Sequence, residues 1–164
     1  LVRSRWIESP SVQRYERGAI SRQEFAAGVI RELDLPLAPD EFIAAFLGWA
    51  RGPYPGATSL LRRLRGRYRI ACLSNSNELH TPVHRRAFEP LLDRCYFSDE
   101  LGYVKPEREI YEHVVRDLGV PPQRIAFFDD TPVNVEAAHR VGLPAYEVDG
   151  VAGLEERLRA LGIG

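Results

Sequence analysis

Ile125-Ala126-Phe127-Phe128-Asp129-Asp130-Thr131-Pro132-Val133-Asn134 decides the fold class of this chain. Four apolar residues in a row predict a buried strand. Two carboxylates close it. Thr131 is placed to cap a helix and Pro132 to occupy its first turn, so the spacing predicts strand, acidic turn, helix with nothing between. In open α/β sheets, ligands bind outside the carboxyl ends of the strands. Two adjacent acids there are costly unless a positive group sits beside them.

The same alternation extends through residues 53–164. Strands are predicted at 68–73, 95–97, 125–128 and 145–148, and helices at about 57–66, 78–92, 107–118 and 132–141, with a closing helix through Leu154, Leu158 and Leu161. Strands alternating with helices imply α/β architecture: a doubly wound, Rossmann-like parallel sheet. Residues 1–20 are polar and Arg-rich with weak periodicity. Ser21-Arg22-Gln23-Glu24 fits a capping box, followed by a stripe of Phe25, Val29, Ile30 and Leu33. A second helix is expected over about 40–50. The breaker-rich run 51–56 then separates a small helical cap, 1–52, from an α/β core, 53–164.

Composition bounds the rest. The 164 residues are 45% hydrophobic and 27% charged, with a net charge of −1, so no bulk field recruits nucleic acid or an anionic membrane. Two cysteines do not make a disulfide framework, and Cys72 reads as a small buried hydrophobe. A cytoplasmic protein is expected. The chain holds one lysine, Lys105, against 21 arginines, and no methionine, so its natural start is expected to lie elsewhere.

Three strand ends carry polar groups in the order Ser74-Asn75, Lys105, Asp129-Asp130. Together they suit phosphoryl transfer. Paired carboxylates bind Mg²⁺, a hard cation, while a hydroxyl and an ammonium hold phosphate oxygens. Each piece has an ordinary alternative: a helix cap for Asp130, a turn for Ser74-Asn75, a solvated loop for Lys105. His80 and His84 have a metal-compatible spacing, but Pro82 lies between them with no acidic ligand near. Arg62, Arg63, Arg65, Arg67 and Arg69 read as a solvated face, since no aromatic platform accompanies them. His113 and His139 read as surface or packing residues.

In this order the three motifs resemble those of the haloacid dehalogenase superfamily. Leu73-Ser74-Asn75-Ser76-Asn77-Glu78-Leu79-His80 and Tyr15-Glu16-Arg17-Gly18-Ala19-Ile20-Ser21 resemble its branch of small-cap sugar-phosphate phosphatases, which includes glucose-1-phosphate phosphatases and the N-terminal domain of soluble epoxide hydrolase. The resemblance implies that Asp130 binds Mg²⁺ directly and that Asp129 orients metal-bound water. It implies that Ser74 and Asn75 hold the phosphate, that Lys105 pairs with phosphate and nucleophile, and that Asn134 steadies the metal site. The family's Asp-x-Asp nucleophile motif has no counterpart in these residues, and Asp34, beside Pro36, does not fit it. The first strand is therefore expected to be missing from this chain.

The implied activity is Mg²⁺-dependent hydrolysis of small phosphomonoesters through an aspartyl-phosphate whose nucleophile lies outside this chain. The alternative is a non-catalytic phosphate- or metal-binding module. Halide removal is disfavoured by the paired acids, and a receiver domain by the motif order. The expected partner is a small phosphorylated metabolite, with no nucleic acid and no membrane; oligomeric state is open.

Overall fold

The structure, a computed structural model, describes residues 5, 6 and 8–164. They divide into two compact units, one of the described residues through Gly52 with Ser74–Ala87 and Phe97–Val104, the other of Pro53–Leu73, Phe88–Tyr96 and Lys105–Gly164.

The first unit is built on helices α1 (Pro10–Glu16), α2 (Arg22–Leu33) and α3 (Pro39–Leu47). The expected capping box is present: Glu24 N–H bonds the Ser21 hydroxyl and the Glu24 carboxylate accepts from Ser21 N–H. α2 ends at Asp34, whose left-handed φ of 54° closes the helix. Thus Asp34 is a helix terminator here. α3 starts on Pro39 and ends at Leu47, short of the expected 50, with Gly48 as its C-cap. The weakly periodic stretch before residue 20 contains a helix that the pattern does not announce. α1 is capped by the Ser9 hydroxyl, accepting from Val12 N–H, and buries only Val12 and Tyr15 among apolar residues. Two apolar residues in seven are too few for a periodicity signal. The remainder of 1–20 at positions 1–4 and 7 lies outside the described residues.

The core of this unit is aromatic. Phe25 stacks on Tyr15 with ring centroids 4.1 Å apart, and Phe42 on Phe46 at 5.9 Å. Gly18, at φ 67°, lets the backbone touch the Asp99 carbonyl so closely that a Cβ would collide with it. That contact fixes Asp99 in α6 (Ser98–Leu101).

β1 (Ala71–Ser74) pairs with β2 (Arg94–Phe97), and β3 (Phe127–Asp129) pairs with β4 (Ala145–Glu147). The second unit holds β3 and β4 whole and all of β1 and β2 but their last residues, Ser74 and Phe97. β3 and β4 are parallel, in the register Phe127↔Ala145, Phe128↔Tyr146, Asp129↔Glu147. The architecture is α/β with parallel strands among helices, as expected. The described strands pair two by two, β1 with β2 and β3 with β4. Each strand is three or four residues long, because Ile125 closes a 3-10 turn and Tyr68 makes only an isolated bridge with Arg65. Around the ladders stand α4 (Ala57–Leu64), α7 (Arg108–Leu118), α8 (Pro132–Arg140) and α9 (Gly150–Ala160). The expected 78–92 helix is α5 (Thr81–Phe88), with Pro82 in its first turn, followed by a 3-10 turn over Glu89–Leu91.

The arginine run ties this unit together. Arg65 donates to Pro90 O at 2.6 Å, Arg69 to Leu118 O at 3.2 Å at the end of α7, and Arg67 to Gly164 O. Arg63 pairs with Glu155 of α9. These forks serve the protein's own carbonyls and carboxylates. Among the described residues no helix is long and apolar enough to cross a membrane.

Phe25 is 1% exposed and touches the rings of Tyr15, Phe42, Phe46 and Trp6. Phe25→Ala should lower unfolding free energy by about 3–5 kcal/mol in a urea titration; a loss under about 1 kcal/mol would contradict this core.

Candidate active site

The carboxyl end of β3 delivers Asp129 into a closed set of donors. Its side chain is 6% exposed, and Oδ2 accepts from Lys105 Nζ at 2.6 Å, whose own side chain is 12% exposed. Oδ1 accepts from Thr131 N–H at 2.9 Å and from Asn134 Nδ2 at 3.0 Å. Thr131 is the N-cap residue of α8 by position, with Pro132 following, as the spacing predicts. Its hydroxyl does not cap: Asp129 takes the Thr131 N–H, and the hydroxyl turns to Asp130 Oδ1 at 3.3 Å. The helix start is therefore organised by the acid before the cap.

Tyr111 of α7 completes the wall, donating to Asn134 O at 3.0 Å and meeting Phe127 edge-on at 5.6 Å. Burial, and secondly the Asp129 charge, push its hydroxyl well above the usual phenol range. Lys105 Nζ also lies 5.9 Å from the Phe127 ring centroid. Lys105 joins Pro106 through a cis peptide.

Asp129 and Asp130 thus differ sharply. Asp129 is buried with both oxygens bonded; Asp130 is exposed. Among the described residues no three His, Cys, Asp or Glu side chains converge as a metal cluster. The donor set is nonetheless all oxygen, with one exposed carboxylate. Mg²⁺ commonly takes one or two carboxylates and keeps several waters, so the set fits that ion and not a soft metal.

In the first unit, Ser74 Oγ donates to Asn75 O at 3.1 Å. Asn75 lines a cavity of about 220 Å³ together with Glu16, Phe46, Trp49 and His84. The loop behind is rigidly held. Ser76 N–H donates to Ser98 Oγ at 2.9 Å, and Ser98 Oγ to Ser76 O at 3.2 Å. Asn77 Oδ1 accepts from Leu79 and His80 N–H. His80 is buried with Nε2 2.8 Å from Phe46 O, so that nitrogen carries the proton and binds no metal. His113 stands edge-on to Tyr96 at 6.3 Å, a packing contact. The sequence reading missed Thr81 and Asp99, whose polar side chains bond each other at 2.8 Å. Asp99 does follow the end of β2, the same strand-end placement that marked the other sites.

Residues 6–142 match the haloacid dehalogenase-like hydrolase family. The chain belongs to that family. It is 26% identical over 157 residues to a D-ribitol-5-phosphate phosphatase of Bacteroides thetaiotaomicron, covering 91% of this chain and 76% of that protein. It is 28% identical over 99 residues to an (S)-2-haloacid dehalogenase of Burkholderia cepacia, covering 58% of this chain and 43% of that one. A solved haloacid dehalogenase family enzyme of B. thetaiotaomicron, in complex with magnesium, superposes with a TM-score of 0.78 at 26% identity, covering 92% of this chain and 80% of the other. The family's magnesium chemistry agrees with the oxygen-only donors at 129–130.

Removing Lys105 leaves the Asp129 carboxylate buried without its cation. Lys105→Met should cost about 3–5 kcal/mol in chemical denaturation, and pairing it with Asp129→Asn should recover part of that loss. Additive losses would contradict the coupling. A second expectation concerns acid. Burial, then the His80 charge, hold the His84 imidazole below its usual range against an opposing pull from Asp99. The unfolded chain takes up a proton that the folded chain resists, so stability should fall as pH drops below about 6.5. His84→Phe should flatten that part of the profile; an unchanged profile would contradict it.

Proposed function

We propose that this family member acts on small phosphomonoesters, of the sugar-phosphate kind, in a Mg²⁺-dependent reaction. The observation that carries the reading is the split between the two acids: Asp129 neutralised by Lys105, Asp130 exposed beside it. In the proposed roles, Asp130 holds the metal, and Asp129 and Asn134 keep its turn in place. Ser74, Asn75 and Lys105 bind phosphate oxygens. When bound, Mg²⁺ would neutralise charge on the transferring phosphoryl group. The phosphatase activity named for the B. thetaiotaomicron relative supports the substrate class.

The hydrolysis is assigned to an aspartyl nucleophile from outside these 164 residues, since they contain no Asp-x-Asp. Its carboxylate oxygen would bond phosphorus as the ester oxygen leaves and takes a proton from the motif's second Asp. Water would then cleave the aspartyl-phosphate, releasing phosphate. The same absence favours a second reading for the chain taken alone: a phosphate- and metal-binding module. Dehalogenation, the activity named for the B. cepacia relative, needs no Mg²⁺, and the paired acids at 129–130 argue against it.

The 164-residue chain should bind inorganic phosphate in a Mg²⁺-dependent way yet release none from sugar phosphates. Phosphate release above an Asp130→Ala control would show that the nucleophile lies within the chain; binding indifferent to Mg²⁺ would contradict the metal role.

A further inference from the structure

The cavity beside Asn75 has an apolar wall and a polar floor. Trp6 lies 5.0 Å and Phe46 5.2 Å from Trp49, ring centre to ring centre, and Trp49 is still 58% exposed. An indole face left open suits the C–H face of a carbon chain. The floor includes His84, which ends a run of hydrogen bonds that starts at a carboxylate. Asp99 Oδ1 lies 2.8 Å from Thr81 Oγ1, Thr81 Oγ1 lies 2.9 Å from Ser76 Oγ, and Ser76 Oγ lies 3.3 Å from His84 Nδ1.

Counting protons gives this run a direction. An ionised carboxylate only accepts, so the single Thr81 hydroxyl proton points to Asp99. The Thr81–Ser76 contact must then use the Ser76 proton. With that proton committed, Ser76 can only accept from His84, whose Nδ1 must carry hydrogen. The neutral imidazole therefore presents a bare Nε2, and among the described residues no protein group bonds it. Burial keeps the ring neutral, favouring this acceptor state.

We propose that His84 recognises a hydroxyl: its Nε2 accepts a hydrogen bond from a polyol chain lying against Trp49, while the phosphate end of the same molecule sits at Ser74 and Asn75. The ligand class is a polyhydroxylated alkyl phosphate. Asp99, Thr81 and Ser76 are positioning residues acting through His84. The inference rests on the phosphomonoester reading.

The ring tautomer is measured on the 164-residue chain by ¹⁵N-resolved NMR near neutral pH. The expected result is Nδ1–H with bare Nε2 at His84, turning to Nε2–H in Thr81→Val, which frees the Ser76 proton to point at the ring. An Nε2–H tautomer in the wild-type chain overturns the proposal. Binding is measured calorimetrically with Mg²⁺, comparing a pentitol phosphate with n-butyl phosphate, which has no hydroxyl to offer. His84→Phe should weaken the pentitol phosphate about tenfold and n-butyl phosphate less than about twofold, with His84→Gln recovering most of the loss. Equal weakening of both ligands overturns the proposal. If inorganic phosphate itself fails to bind, the phosphomonoester reading falls. The His84 proposal is then judged on the free pentitol: a shift of the Nε2 resonance supports it, and an unmoved resonance overturns it.

Discussion

The ion pair between Lys105 and Asp129 is the constraint on which the second unit's candidate site depends. A carboxylate at 6% exposure is tolerable only with its charge matched and its lone pairs filled. Lys105 supplies the charge, and Thr131 N–H and Asn134 Nδ2 fill the rest. One side chain thereby ties the end of β3, the start of α8 and the loop before α7. Tyr111 then seals α7 against α8 through Asn134 O. Asp129 is fully engaged, whereas Asp130 beside it stays exposed.

The division of cations follows from their shapes. Arginine forks reach backbone carbonyls and exposed carboxylates at the surface, as Arg65, Arg67 and Arg69 do. The buried carboxylate takes the one compact ammonium in the chain, which fits a narrow site. The basic run 62–69 thus has a structural role, and its charge does not depend on a nucleic-acid partner to explain it.

Much of this was legible in the sequence. Ile125 to Asn134 announced strand, acids and helix because apolar burial and proline are local signals, and the Ser21–Glu24 box was readable for the same reason. The positive partner of the two acids was nameable because lysine occurs once. What stayed hidden was non-local. α1 buries too few apolar residues to show a period. Which strand pairs with which is a long-range choice that no local pattern encodes. The Asp99–Thr81–Ser76–His84 run joins residues up to 23 positions apart whose types are ordinary in turns and helix starts. Likewise, that the Thr131 hydroxyl leaves α8 uncapped while Asp129 accepts from the Thr131 N–H follows from a hydrogen-bond choice that both residue types could make.

The central claim is that the paired acids have separate duties: Asp129 holds structure and Asp130 holds the metal. Calorimetric titration of Mg²⁺ into the 164-residue chain, alongside urea denaturation of the same samples, tests it most directly. The account predicts that Asp130→Asn abolishes Mg²⁺ binding while leaving unfolding free energy within about 0.5 kcal/mol of wild type. Unchanged Mg²⁺ binding by Asp130→Asn would contradict it.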